Sequence, residues 1–441
     1  MQRITRREFV KRTAVTGAAF TSIPAILAAC GTGTSTSNKP SKLTVAAVQG
    51  AEDGPLKKVG PMYTAKTGIT IEIVEFPYDT LFSKLVTTFQ ANGSSYDLCM
   101  MDDPWMPKFG TMGALQPLDS NFGFTRDSDI PSIVYDVGTW PPPSGPVPPT
   151  EQSKAKHLYG ITIVGNVEMF MYRKDLATAA PTSWDDVKAN AARFNKANFY
   201  GYVIRGKATN PASSDSLPIL WSFGGDVFDT NWKVKLDSTE SIDAITFLTK
   251  TLKQYAEPSA DNIDAADRDR LIAIGQAFQS TTWPAEVTGV VEAQGSSQVI
   301  GKMAYIPIPQ GPSGKGIGMM GNWLLGIPKG SHNGSAAADF IKWMLQADNM
   351  KTYVQNGGIP TRTSLLNDAT LGQTNPYFPA LAKSLAAPPN WRPRTDQWNA
   401  VETIYGTAVN QAIAGLKTPK DAMMSAAAQI RTTMQGAGYP S

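Results

Sequence analysis

Two cysteines and two histidines in 441 residues leave little material for several kinds of chemistry. Cys30 closes an apolar N-terminal run and Cys99 sits inside the apolar stretch YDLCMM, so no disulfide framework is expected and Cys99 reads as a buried core thiol. His157 and His332 alone cannot build a histidine metal cage, and a His-dependent nucleophilic triad is equally poorly supplied. No metal is expected. Internal repeats are missing, as is any dense basic run after the first 29 residues, which argues against nucleic acid as a partner. No apolar run reaches the roughly 20 residues of a membrane span, since Thr13 to Ala29 is short and interrupted by Gly17 and Pro24.

That run carries an address instead. Arg6 and Arg7 precede it and Leu27-Ala28-Ala29-Cys30 ends it, the layout of a cleaved secretory signal. The pattern around Arg6-Arg7 resembles the twin-arginine export signal, and the second resembles a bacterial lipobox in which Cys30 is lipidated. Residues 1–29 are therefore expected to be removed. They hold five basic residues against Glu8, so the formal charge of +3 falls to about −1 in the remaining chain. Residues 30–41 form a polar leash of roughly 20 Å.

Beyond the leash, LTVAAV (43–48), ITIEIVEF (69–76) and YDLCMM (96–101) read as strands separated by helical stretches at 55–66 and 81–91. Such alternation predicts an α/β fold whose sheets are mostly parallel and flanked by helices. Trp140 to Thr150, with six prolines, predicts a stiff surface loop. A helix is expected at PTSWDDVKANAARF, capped by Thr182 or Ser183, another opens at Asp237 to Glu240, and a long one runs from about 335 to 355.

Among motifs, Gly316 to Gly321 matches GxGxxG, but the following NWLLGIP is strand-like where a dinucleotide site needs a helix. Gly314-Lys315 lacks the rest of a P-loop, so no cofactor is expected. Asp185-Asp186 sits in a helix's first turn and suits the dipole there. Asp102-Asp103 follows a buried strand, where open α/β sheets place ligand contacts. Trp105, Trp221, Trp283 and Trp323 stand in turns beside glycine or carboxylates. An aromatic plate beside acid and amide groups matches a sugar ring, with its apolar faces and polar rim.

The order of these pieces carries a resemblance. A YD strand followed by LQPLD, then LYGITIVGNVEMFMYRKDL, PTSWDDV, WSFGGDVF, KMAYIPIPQG, GNWLLGIPKG and GGIPTRTSLL, resembles the family 1 extracellular solute-binding proteins of ABC importers, the maltose-binding-protein-like group. The resemblance implies a type II periplasmic-binding-protein fold: two lobes joined by hinge crossovers and closing over a carbohydrate or polyol. Lobe 1 is expected at 42–165 plus 309–345 and lobe 2 at 166–308 plus 346–441, with crossings near 164–166, 304–309 and 343–346. Carried over by position, the ligand contacts are Glu52 and Asp53 after the first strand, Glu75 and Tyr78 after the second, and Asp102, Asp103 and Trp105 after the third. Asn166, Glu168, Trp221, Gly224, Gly225, Asp226, Trp283 and Arg362 follow from lobe 2 or the crossing, with Asn322 and Trp323 completing the set. The implied role is non-enzymatic capture by a monomer that is lipid-anchored outside the cytoplasmic membrane and delivers its ligand to the transmembrane subunits of an ABC permease. A secreted carbohydrate-processing enzyme and a binder of another solute, such as glycerol phosphate, are the alternatives.

Overall fold

The computed structural model describes residues 39–387 and 390–440. The signal with Arg6 and Arg7, the lipidation residue Cys30 and most of the leash lie outside the described residues. No helix among the described residues is long and apolar enough to cross a membrane.

Among the described residues ten strands form three sheets: β1 (Lys42–Val48), β2 (Thr70–Phe76), β3 (Leu98–Asp102), β4 (Thr139–Trp140), β5 (His157–Leu158), β6 (Gly160–Val164), β7 (Met169–Arg173), β8 (Gln279–Thr282), β9 (Met303–Ile306) and β10 (Trp323–Gly326). The first lobe's sheet has the order β2-β1-β3-β10-β6, and the second's β8-β7-β9. Parallel pairing joins β1 to β2 and β3, where the helices Gly54–Thr67 and Tyr78–Gln90 supply the crossovers that parallel strands require. Central β3 is buried along its whole length, whereas edge strand β2 alternates exposed and part-buried positions, as ITIEIVEF predicts.

The expectation of mostly parallel sheets is corrected outside that trio. β10 runs antiparallel between β3 and β6, and β7 is antiparallel to both β8 and β9. The cause is connectivity: β10 enters the first sheet from the opposite lobe, without a crossover helix to restore its direction. The helix expected over 335–355 is two helices, Gly334–Leu345 and Ala347–Gln355, because Gln346 adopts extended backbone. The second packs against the helix Gly54–Thr67 of the first lobe, whereas the family resemblance implies a place in the second. The proline-rich loop is exposed only at Ser144, Gly145 and Thr150; Trp140 is buried in β4 and donates from Nε1 to Glu151 Oε2 at 3.0 Å.

Two crossings lie side by side. Residues 165–168 lead from β6 to β7, and Glu168 N donates to Met319 O at 2.8 Å while Gly321 N donates to Asn166 O at 3.1 Å. The return passage therefore sits at 319–321, later than the expected 304–309. A further strap follows, since Met320 N donates to Asn390 O at 2.8 Å and the chain then continues into the helix Trp398–Ile413 of the second lobe. Apolar side chains gather in two buried clusters, the larger around the first sheet and the smaller within the second lobe.

Candidate functional site

The C-terminal ends of β1, β2 and β3 open onto a cavity of about 420 Å3 between the lobes. This is where the topology of an open α/β sheet exposes backbone and loop groups to a ligand. Gln49 and Glu52 follow β1, Pro77 to Asp79 follow β2, Asp102 ends β3, and Gly321 and Trp323 open β10. The facing wall comprises Asn166, the run Lys207 to Pro211 with Arg205 and Ser214, Asp264 to Ala266, Trp283 and Glu286. The helix Asn210–Ser222 begins at this wall with no side-chain cap; Pro211 has no N–H, and the Ala212 and Ser213 N–H groups donate to the Lys207 and Thr209 carbonyls, which leaves the Asn210 N–H unpaired among the described residues.

Asp102 is the best-anchored acid. Tyr78 OH donates to its Oδ2 at 2.7 Å, and Arg392 grips both oxygens, Nη1 to Oδ2 at 2.9 Å and Nη2 to Oδ1 at 2.7 Å. The same guanidinium lies 3.2 Å from Asp103, whose carboxyl burial raises to about 7 against the pull of Arg392. Behind this pair an aromatic cluster fixes the wall: Trp105 lies edge-on to Trp323 at 5.5 Å and Tyr78 packs on Trp105 at 4.9 Å. Gly321 permits the opposite plate to close in, because a Cβ there would lie 2.3 Å from the Trp283 ring.

Behind the facing wall lies a buried charge cluster. Arg268 donates from Nε to Asp269 at 3.1 Å and from Nη2 to Glu286, and its Nη1 lies 3.6 Å from Asp215. Arg205 reaches Asp215 at 3.5 Å. Glu168 is fully buried, and neither of its oxygens has a hydrogen-bond partner among the described residues. Burial and then Asp215 push its carboxyl well up, with Arg268 opposing. Glu286 is raised to about 8, by burial first, with Arg268 opposing. Glu52 is raised to about 7, again chiefly by burial. Among the described residues no group of His, Cys, Asp and Glu is placed to hold a metal ion.

Of the residues expected from sequence, Glu52, Tyr78, Asp102, Asn166, Trp283 and Trp323 line the cavity. Asp103, Trp105 and Asn322 lie behind its wall: Asn322 N donates to Asp103 at 2.8 Å, while Asn322 Nδ2 is buried without a partner among the described residues. The others do not line it. Asp53 is buried, accepts from Gly50 N at 3.4 Å and pairs with Lys57, which also holds Glu75 at 2.8 Å. Trp221 donates to Asp226 at 3.2 Å, a contact internal to the second lobe. Gly224 and Gly225 form the turn before it, and the close approach at Gly225 is to Ser241, where a Cβ would meet Oγ at 2.7 Å.

Arg362 is corrected outright. It binds Asp127 at 2.6 Å, Asp129 at 3.0 Å and the Leu345 carbonyl, away from the cavity. We expect Arg362→Ala to lower stability by about 1–3 kcal/mol in urea titrations and leave ligand affinity within about twofold.

Sequence reasoning missed Arg205, Lys207, Asn210, Asp264, Glu286 and Arg392. The run IRGKATNP gave a usable signal, a polar loop that ends a buried apolar stretch and opens a helix, the same rule that found Asp102. Arg392, in NWRPRTDQW, offered none tied to the third strand.

Comparison with known proteins accords with this geometry. A family model described as bacterial extracellular solute-binding protein matches residues 44–351. A probable amino-acid ABC transporter periplasmic-binding protein of Sinorhizobium fredii is 24% identical over 408 residues, covering 90% of each chain. The ribitol complex of an ABC transporter solute-binding protein from Agrobacterium radiobacter superposes with a TM-score of 0.79 at 24% identity, over 89% of this chain and 99% of that one. Maltose-bound MalE3 of T. maritima gives the same TM-score and coverage at 25% identity. Two α/β lobes, paired crossings and a cavity at the strand ends are thus found in a chain that belongs to the bacterial extracellular solute-binding protein family.

Proposed function

We propose that this protein is the substrate-binding lipoprotein of an ABC importer, a non-enzymatic receptor that captures a carbohydrate or polyol and delivers it to a membrane permease. One observation carries the ligand class: Trp323 from the first lobe and Trp283 from the second line one cavity together with Glu52, Asp102, Asn166 and Asn210. Aromatic plates with polar groups between them suit a ring or chain with apolar C–H faces and hydroxyl rims. Solved relatives support the class, being complexes with ribitol, maltose and D-mannitol. A phosphorylated solute fits poorly. Lys207 is paired with Asp264 at 3.2 Å, Arg392 with Asp102 and Asp103, and Arg205 with Asp215, so no cation of the wall is left uncommitted.

Contacts from both lobes are complete only around a ligand, so binding would shift a hinge equilibrium toward the closed form that a permease recognises. Family membership carries an extracytoplasmic location. The lipid on Cys30 and the twin-arginine route are the finer reading, supported by the N-terminal sequence.

Thermal unfolding against sugars, polyols, sugar phosphates and amino acids tests the reading. One carbohydrate or polyol at 100 times its dissociation constant should add about 2.7 kcal/mol and raise the midpoint by a few degrees, and it should be recovered unaltered. Trp323→Ala should weaken that binding about 10- to 100-fold. A cleaved product would establish an enzyme, and a shift confined to amino acids or phosphates would replace the ligand class.

A further inference from the structure

Resting on that reading, the charge balance of the cavity narrows the ligand further. Every cation lining it already faces a carboxylate, as described above, yet acids remain. The Glu52 side chain, at the first lobe's wall, takes no hydrogen bond from another described residue, and Asp79 stands exposed at the rim. Glu286, 7% exposed, receives Arg268 and the Trp283 N–H on Oε2, while its Oε1 accepts no hydrogen bond from the described residues and keeps some solvent access. Behind Glu286 two guanidinium groups, Arg205 and Arg268, face Asp215, Asp269, Glu286 and Glu168. The lining carboxyl groups, Glu52, Asp79, Asp102, Asp264 and Glu286, thus outnumber the lining cations, Arg205, Lys207 and Arg392, and closure brings acids of the two lobes together.

We propose that the captured ligand carries a protonated amine on its polyhydroxylated skeleton, an amino sugar or aminopolyol, with the ammonium held between Glu52 of one lobe and Glu286 of the other. An ammonium offers three donors to unfilled carboxyl oxygens and favours their ionised form, which a neutral hydroxyl does not. The Asn210 N–H, at the start of the helix Asn210–Ser222, is a donor for one of the ligand's hydroxyl oxygens, so the two features serve different parts of one molecule. The raised carboxyls agree: burial first, then Asp102 and Asp269 against Arg205, raises Glu52, and burial first, with Asp269 and Glu52 adding, raises Glu286. A bound cation reverses that pressure, so amine binding at neutral pH expels protons into the buffer.

The test is titration calorimetry of the full receptor with matched probes: D-glucose, D-glucosamine and N-acetyl-D-glucosamine; D-glucitol and D-glucamine; maltose and the glucosamine disaccharide. The amine of a pair should bind at least about tenfold more tightly than its neutral parent at neutral pH, and acetylation should erase the gain. Enthalpies should vary with buffer in proportion to protons released. The amine preference should shrink about tenfold in Glu52→Gln and near pH 5, where the carboxyls are protonated. Equal or tighter binding of the neutral parents would overturn this inference and leave the carbohydrate reading intact. Failure of every probe to bind would overturn both.

Discussion

Arg392→Met is expected to remove about 3–5 kcal/mol of stability and to weaken ligand binding about 100-fold. Arg392 serves two adjacent carboxylates at once, bidentate on Asp102 and 3.2 Å from Asp103, and all three side chains are at most 6% exposed. Removing the cation strands two like charges in a medium that solvates them poorly, and Asp103 is already pushed up to about 7 while Arg392 is present. Asp102 lines the cavity, so loss of its anchor also frees the carboxylate to rotate away from a ligand. Arg392→Lys keeps the charge but not the planar fork; it should fold, with a smaller stability loss and about tenfold weaker binding. Urea titration and calorimetry on both variants decide the matter. An unchanged midpoint in Arg392→Met would show that the pair contributes nothing net.

The second large effect is a dependence on pH centred on Arg268. Burial holds Glu52 near 7, Glu286 near 8 and Glu402 near 7 in the folded state, all above the range these acids have in an unfolded chain. The folded protein therefore binds protons that the unfolded chain gives up, and the stability linked to them is present at low pH and lost as pH rises through about 7 to 8. Asp127 and Asp186 act in the opposite sense. Backbone hydrogen bonds first, then Arg362 for Asp127, lower their carboxyls, so their contribution is lost only in more acidic solution. The wild-type midpoint should thus be higher near pH 6 than near pH 8.5. Arg268→Met should lose about 3–5 kcal/mol above neutrality and recover a large part near pH 5.5, where its orphaned acids take up protons. A flat profile from pH 6 to 8.5 in both proteins would contradict the burial argument.

Much of the first lobe was legible because its information is local. Alternation in ITIEIVEF and the continuous apolar run of β3 each lie within a few residues, and the structure uses both as expected; in the second lobe the cap at Ser183 is equally local. What the chain brings together from afar was not. Nothing near Met169–Arg173 says that its neighbours are Gln279–Thr282 and Met303–Ile306, or that both run antiparallel. Arg362 could be carried over as a ligand contact because the aspartates that hold it stand 233 and 235 positions earlier. Arg392 was invisible for the same reason, whereas Asp102, Tyr78 and Trp323 could be found from strand ends and family order alone.

The arginine that steadies Asp102 stands 290 positions further along the chain. The ribosome therefore delivers the first three strands and both aspartates long before it delivers their counterion. Until the strap at Asn390 and the helix Trp398–Ile413 have emerged, a nascent first lobe holds an acid pair that it can only leave wet or protonate. Ligand-binding competence is then among the last properties the polypeptide acquires, and an occupied cleft certifies that translation ran at least as far as the strap.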